Sequence, residues 1–137
     1  MTAGAARLLL AAAGSALLVG CADEGAVPLS PGGGDDVFYS RDIQPLWDRD
    51  CTGCHAAGGV AGLDLSADHS RAGLVGVPST GYAAVRVAPG DPTASVLYGK
   101  LADTGQYGGP MPDGGPAFTA AELELVRRWI VDGARDD

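Results

Sequence analysis

Among the 137 residues of this chain, the side chains best suited to hold a metal or a cofactor are three cysteines, two histidines and two methionines. Cys51-Thr52-Gly53-Cys54-His55 places two thiols three positions apart, with an imidazole directly after the second. On a tightening turn, thiols so spaced can reach the two vinyl groups on one edge of a porphyrin. The adjacent imidazole can then turn over the ring and ligate iron. This C-x-x-C-H spacing is that of c-type haem attachment. It predicts one covalently bound haem c, with thioethers from Cys51 and Cys54 and with His55 as the proximal iron ligand. A thiol redox pair would place C-x-x-C beside a βαβ unit, and the pattern here is helical with no such unit. A zinc site needs four ligands, and Cys51, Cys54, His55 and His69 are the only cysteines and histidines beyond residue 36. His55 directly after Cys54 departs from the usual zinc-finger spacing.

Three readings are open for the sixth iron position: Met111, His69, or no protein ligand. Met111 is the only methionine outside the N-terminal leader described below, and it is the best placed. It lies in Gly108-Gly109-Pro110-Met111-Pro112, where prolines stiffen an extended loop and glycines allow close approach to a ring. His69, between Asp68 and Ser70, is expected on an exposed turn.

Helices must present these donors. Asp42 is expected to cap a first helix with Ile43, Gln44 and Pro45 at its first three positions. Ile43, Leu46, Trp47 and Cys51 then share one face, so the helix runs directly into the motif. Asp91-Pro92 predicts the start of a middle helix of about three turns carrying Ala94, Leu97, Tyr98 and Leu101 on one face. Thr119-Ala-Ala-Glu122 is a capping box, opening a last helix with Leu123, Val126 and Ile130 on one face, Leu125 and Trp129 beside it, and Gly133 as its stop. Thr104 to Ala117, with five glycines and three prolines, should hold no regular structure. Between residues 56 and 90 the expectation is a short helical turn from Ser66 to Leu74 and a brief extended piece at Val85 and Val87.

Composition says why such a domain would need a cofactor. From Val37 to the end, Leu, Ile, Val and Phe together supply 21 of 101 residues, against 22 for Gly and Pro. Large core side chains are therefore scarce, and a small domain in that position usually needs a disulfide, a metal or a bound group as a staple. The net charge is −8, from 9 basic and 17 acidic residues. That balance argues against nucleic acid or an anionic lipid surface as a partner and favours a basic one.

Residues 1–20 read as an export signal: Arg7 is the positive start, and Leu8 to Val19 is a twelve-residue apolar run too short to span a bilayer. Leu18-Val19-Gly20-Cys21 resembles the lipobox of bacterial lipoproteins. That resemblance implies cleavage before Cys21, acylation of its sulfur and a membrane anchor through lipid. Residues 22–36, rich in Gly, Pro and acid, read as a disordered tether, leaving residues 37–137 as the domain. With Cys21 acylated and the other two cysteines in thioethers, no thiol is left over.

From Ile43 onward the order of helix, Cys51-x-x-Cys54-His55, middle helix, Met-Pro loop and Trp-bearing last helix resembles class I c-type cytochromes. Closer details are Asp42-Ile43-Gln44-Pro45, Gly62-Leu63-Asp64-Leu65-Ser66, Pro89-Gly90-Asp91-Pro92, Met111-Pro112 and Trp129-Ile130. They look like the small monohaem domains of bacterial exported proteins. The resemblance implies an all-α fold in which the first and last helices cross and pack beside the haem, bringing Ile43, Leu46 and Trp47 to Val126, Trp129 and Ile130. It also implies His55 and Met111 as axial ligands. Arg86 is the candidate contact for a haem propionate, with a solvated arginine as the other reading.

The function expected is that of a lipid-tethered electron carrier rather than an enzyme, exchanging single electrons with a redox protein, basic if charge steers it. The rival is a five-coordinate haem c protein, a gas sensor or peroxidase-like enzyme, in which Met111 does not bind iron; no distal histidine and arginine adjoin in sequence, although folding could bring His69 close to Arg71 or Arg86. The expected place is the periplasmic side of the cell envelope. Because Asp23 follows Ala22 instead of adjoining Cys21, the outer membrane is favoured over the inner.

Overall fold

The computed structural model describes residues 36–137. The expected signal peptide, the lipidated Cys21 and the tether up to residue 35 lie outside the described residues. The regular elements are helices: α1 (Gln44–Asp50), α2 (Ser70–Leu74), α3 (Val96–Leu101) and α4 (Ala120–Val131), with a π-helical turn at Tyr39–Ile43 and a 3-10 turn at Val60–Gly62. Among the described residues no β-strand forms. The extended part of the 56–90 region is reduced to isolated bridges that pair Val75 with Val87 and Pro78 with Val85.

The first helix differs from expectation at its start. Asp42 does not cap α1. It lies inside the π-helical turn, and its carboxylate reaches back to accept from the Phe38 N–H at 2.9 Å. The chain therefore turns helical at Tyr39, and Asp42 serves the earlier boundary. The expected face is nonetheless the buried one: Ile43, Leu46 and Trp47 are buried and Cys51 packs against them. The middle helix is shorter than expected. The Asp91 carboxylate accepts from the N–H groups of Thr93 and Ala94, closing a turn of its own, so α3 begins only at Val96. Ala94 is consequently exposed. In the same way the helix expected from Ser66 is confined to Ser70–Leu74, with the Ser66 carbonyl accepting from the amides of His69 and Ser70 at 2.9 and 2.8 Å.

The last helix follows the sequence closely. Thr119 and Glu122 form the reciprocal capping box. At the other end the Ala134 N–H reaches the Trp129 carbonyl at 2.8 Å and the Gly133 N–H reaches Ile130 at 3.0 Å, a Schellman close that uses Gly133 at φ +95°. Val126, Trp129 and Ile130 are buried. The N-terminal segment meets α4 mainly through its π-helical turn, where the Tyr39 and Trp129 rings stand 5.0 Å apart. Arg49 of α1 adds an ion pair to Glu122 at 2.7 Å.

Two fully buried tryptophans, Trp47 and Trp129, carry much of the core. At ~150–250 Å² each and ~25 cal/mol per Å², each contributes at most about 4–6 kcal/mol. Beside them runs a buried polar chain. Trp47 Nε1 donates to the Tyr39 hydroxyl, Tyr39 to Ser70 Oγ at 2.7 Å, Ser70 to the Gln44 side-chain carbonyl, and Gln44 Nε2 to the Leu65 carbonyl at 2.9 Å. Burial pushes the Tyr39 phenol above its ordinary range. This chain ties α1 and α2 to Leu65, ten residues beyond His55, and so fixes the floor on which the motif stands.

Candidate haem-binding cavity

The motif continues α1 as a tightening turn. Both Cys51 and Thr52 donate their amides to the Trp47 carbonyl, at 2.9 and 3.0 Å. Cys54 and His55 then donate to the Cys51 carbonyl, at 3.1 and 2.8 Å. The chain folds back at once: Val60 N–H donates to the Cys54 carbonyl at 3.1 Å and Leu65 N–H to that of His55 at 2.8 Å. Gly59 permits this return, since a Cβ there would fall 2.6 Å from the Cys54 carbonyl oxygen.

The return loop fixes the histidine. Its Nδ1 lies 3.1 Å from the Val60 carbonyl oxygen, which can only accept, so in the neutral ring Nδ1 carries the proton and Nε2 has the lone pair. A ligating histidine is commonly arranged in this way, its second nitrogen donating to a carbonyl. The loop itself is strained: Ala61 sits at φ +60°, which costs a residue with a β-carbon about 1–2 kcal/mol.

Cys51, His55 and Met111 line one cavity of about 260 Å³. Most of its remaining wall is aliphatic, including Leu63, Leu65, Leu74, Val96, Leu97 and Leu101. Cys54 is exposed and stands outside that lining. Burial pushes the Cys51 thiol up to about 11. This is opposite to the lowered value a nucleophilic redox thiol needs.

Met111 is held by α3. Its N–H donates to the Lys100 carbonyl at 3.1 Å, and Lys100 Nζ donates to the Gly109 carbonyl at 3.1 Å, so one residue grips the loop twice. Tyr107 packs onto α3 where Gly99 leaves room; a Cβ on Gly99 would come within 2.5 Å of that ring. The Tyr82 ring lies edge-on to Tyr107 at 5.4 Å, with the Lys100 ammonium 5.2 Å from its centre. Thr104 to Ala117 has no helix or strand, as its glycines and prolines led us to expect.

The other sequence candidates fall elsewhere. His69 is exposed, beside Ser66 and Asp64, and does not line the cavity. Arg71 donates to the Ala134 carbonyl at 3.0 Å and so belongs to the C-terminus. A distal pair of His69 with either arginine is therefore not assembled at the cavity. No three His, Cys, Asp or Glu side chains among the described residues gather as a metal cluster. Arg86 does line the cavity, yet it is neither simply solvated nor left wholly to a ligand. Nη1 donates to the Gly73 carbonyl at 2.8 Å, and Nη2 to those of Ala61 and Gly62 at 3.0 and 3.2 Å.

Tyr82 and Lys100 also line the cavity, and sequence reasoning missed both. Tyr82 carries no periodic signal. Lys100 does, as a cation four positions after Val96 and three after Leu97, on a stripe otherwise apolar.

No protein-family model matches the chain, and neither does any curated protein or solved structure. What the cavity can hold is therefore judged on its donors. An imidazole with a free Nε2, a thioether and a half-buried thiol converge on an apolar space, with a second thiol three positions from the first. This set fits an iron porphyrin attached through its edge.

Proposed function

We propose that residues 37–137 form a monohaem c-type cytochrome domain of the class I type, carrying single electrons between redox partners. The observation that carries the reading is that His55 and Met111, 56 positions apart in the chain, line the same apolar cavity as Cys51. In this reading Cys51 and Cys54 would hold the haem as thioethers, and His55 through Nε2 and Met111 through sulfur would ligate its iron. The bound haem would supply a one-electron iron couple, set high by a thioether ligand.

The chain's own residues do the rest. The Val60 carbonyl keeps the His55 ring in one tautomer. Lys100 keeps the methionine loop closed against α3. The aliphatic part of the wall would pack on the porphyrin, and with two protein ligands the iron would have no site for a substrate. His69, exposed and away from the cavity, offers no distal acid or base to the five-coordinate alternative. With 17 acidic residues against 9 basic, the protein should meet a basic redox partner at a rate that falls with salt. The reading also places the domain on the periplasmic side of the cell envelope, held through acylated Cys21, with the outer membrane favoured.

Absorption spectra of the oxidised and reduced protein, matured in an exporting host, test this reading. Low-spin haem bands that added cyanide or carbon monoxide leave unchanged are expected. A high-spin spectrum that responds readily to either ligand would overturn the His55/Met111 assignment.

A further inference from the structure

The least relaxed backbone near the cavity lies directly after the carbonyl that holds His55. Ala61 and Gly62 both have positive φ, at +60° and +58°. A left-handed alanine persists only where its surroundings hold it there. The holding group comes from across the 56–90 region: Arg86 Nη2 spans the carbonyls of Ala61 and Gly62, while Nη1 is anchored on Gly73. Thr80 Oγ1 adds a longer bond to the Ala61 carbonyl, at 3.4 Å. Arg86 is itself fixed by its main chain, its N–H donating to Val77 at 2.8 Å and its carbonyl accepting from Leu97 at 3.0 Å. The guanidinium therefore connects a segment bonded to α3 with a turn whose preceding carbonyl, that of Val60, accepts from His55 Nδ1.

We propose that Arg86 is a positioning residue for His55, holding the Val60 carbonyl on the imidazole through its clamp on Ala61 and Gly62. The inference rests on the haem reading above. A carbonyl that draws on the Nδ1 proton makes the imidazole a stronger donor through Nε2, and a stronger axial donor favours ferric iron. Loosening the clamp should therefore raise the reduction potential. Loss of a positive charge beside the cavity acts in the opposite direction. The test accordingly keeps the charge.

Arg86→Lys retains the cation and removes the planar fork, which a lysine cannot reproduce across three carbonyls. In the holoprotein its reduced-to-oxidised ratio at fixed poise should rise about threefold, an upward shift of about 30 mV at ~59 mV per decade. Exchange of the His55 Nδ1 proton, followed by NMR in the reduced state, should quicken severalfold. Adding Ala61→Gly removes the penalty of the left-handed turn, protects folding, and should return both readouts toward the parent. An Arg86→Lys protein with unchanged potential and unchanged Nδ1 exchange overturns the proposal. So does a shift that Ala61→Gly leaves untouched, because the effect would then bypass the turn. A parent chain that carries no haem defeats the underlying reading instead, and the two failures are separately visible.

Discussion

His55 and Met111 reach the same cavity by opposite routes. The histidine is fixed from within its own neighbourhood: residues 51–65 supply the turn, the return loop and the Val60 carbonyl that holds its ring. The methionine sits in a loop with no regular structure and is held from outside, by the Lys100 carbonyl and ammonium and by the packing of Tyr107 on Gly99. One proposed ligand is thus built into a local motif, while the other depends on tertiary contacts with α3. The methionine side should accordingly be the easier of the two to open, since fewer local bonds must break to move it.

Removing the thioether should break the comparison most severely. Met111→Ala is expected to leave the haem attached through Cys51 and Cys54 and ligated by His55. The ferric protein should become high-spin and bind cyanide, the ferrous protein should bind carbon monoxide, and the reduction potential should fall. An unchanged spectrum would remove Met111 from the site.

Gly99→Ala sharpens the contrast by loosening only the methionine loop. The new methyl group would have to displace the Tyr107 ring, at a cost of about 1–3 kcal/mol. The free energy of unfolding should fall by that amount, and cyanide, which is expected to leave the parent's bands unchanged, should begin to displace Met111 with His55 still bound. Equal loss of both ligands would show that the two sides are not separately supported.

Thr119→Ala should have the smallest effect and should favour neither side. It removes the capping box of α4, worth about 1 kcal/mol, and leaves the spectrum alone. Backbone and side-chain bonds from Thr119, aided by Arg49, hold the Glu122 carboxyl below its ordinary range. A carboxyl depressed in the folded state stabilises above its unfolded value and loses that contribution as pH falls through the folded one. In Thr119→Ala this acid-side component of the melting profile should shrink, and a profile parallel to the parent's would contradict the assignment.

The same contrast explains what the sequence made legible. C-x-x-C-H, the capping box at Thr119 and Glu122, and the Gly133 stop are local patterns whose geometry needs few distant residues, and the last helix closes as they require. Asp42 and Asp91 misled because an aspartate caps a single turn as readily as a helix. Both spend their carboxylates on amides that start something shorter or earlier than expected. Arg86 and Lys100 were harder still. Their partners are backbone carbonyls, at Gly73, Ala61 and Gly62 for one and Gly109 for the other, and a carbonyl has no residue type to recognise. Only the fold reveals that these two cations hold the backbone around His55 and Met111.

The central claim is that a porphyrin is bonded to Cys51 and Cys54 and completes the interior of a domain short of large side chains. The intact mass of the denatured protein, after maturation in an exporting host, tests it most directly. A mass greater by one haem, retained in acidic organic solvent and absent from the Cys51→Ala/Cys54→Ala double variant, is the expected result. A colourless chain at its bare polypeptide mass that still melts cooperatively would contradict it.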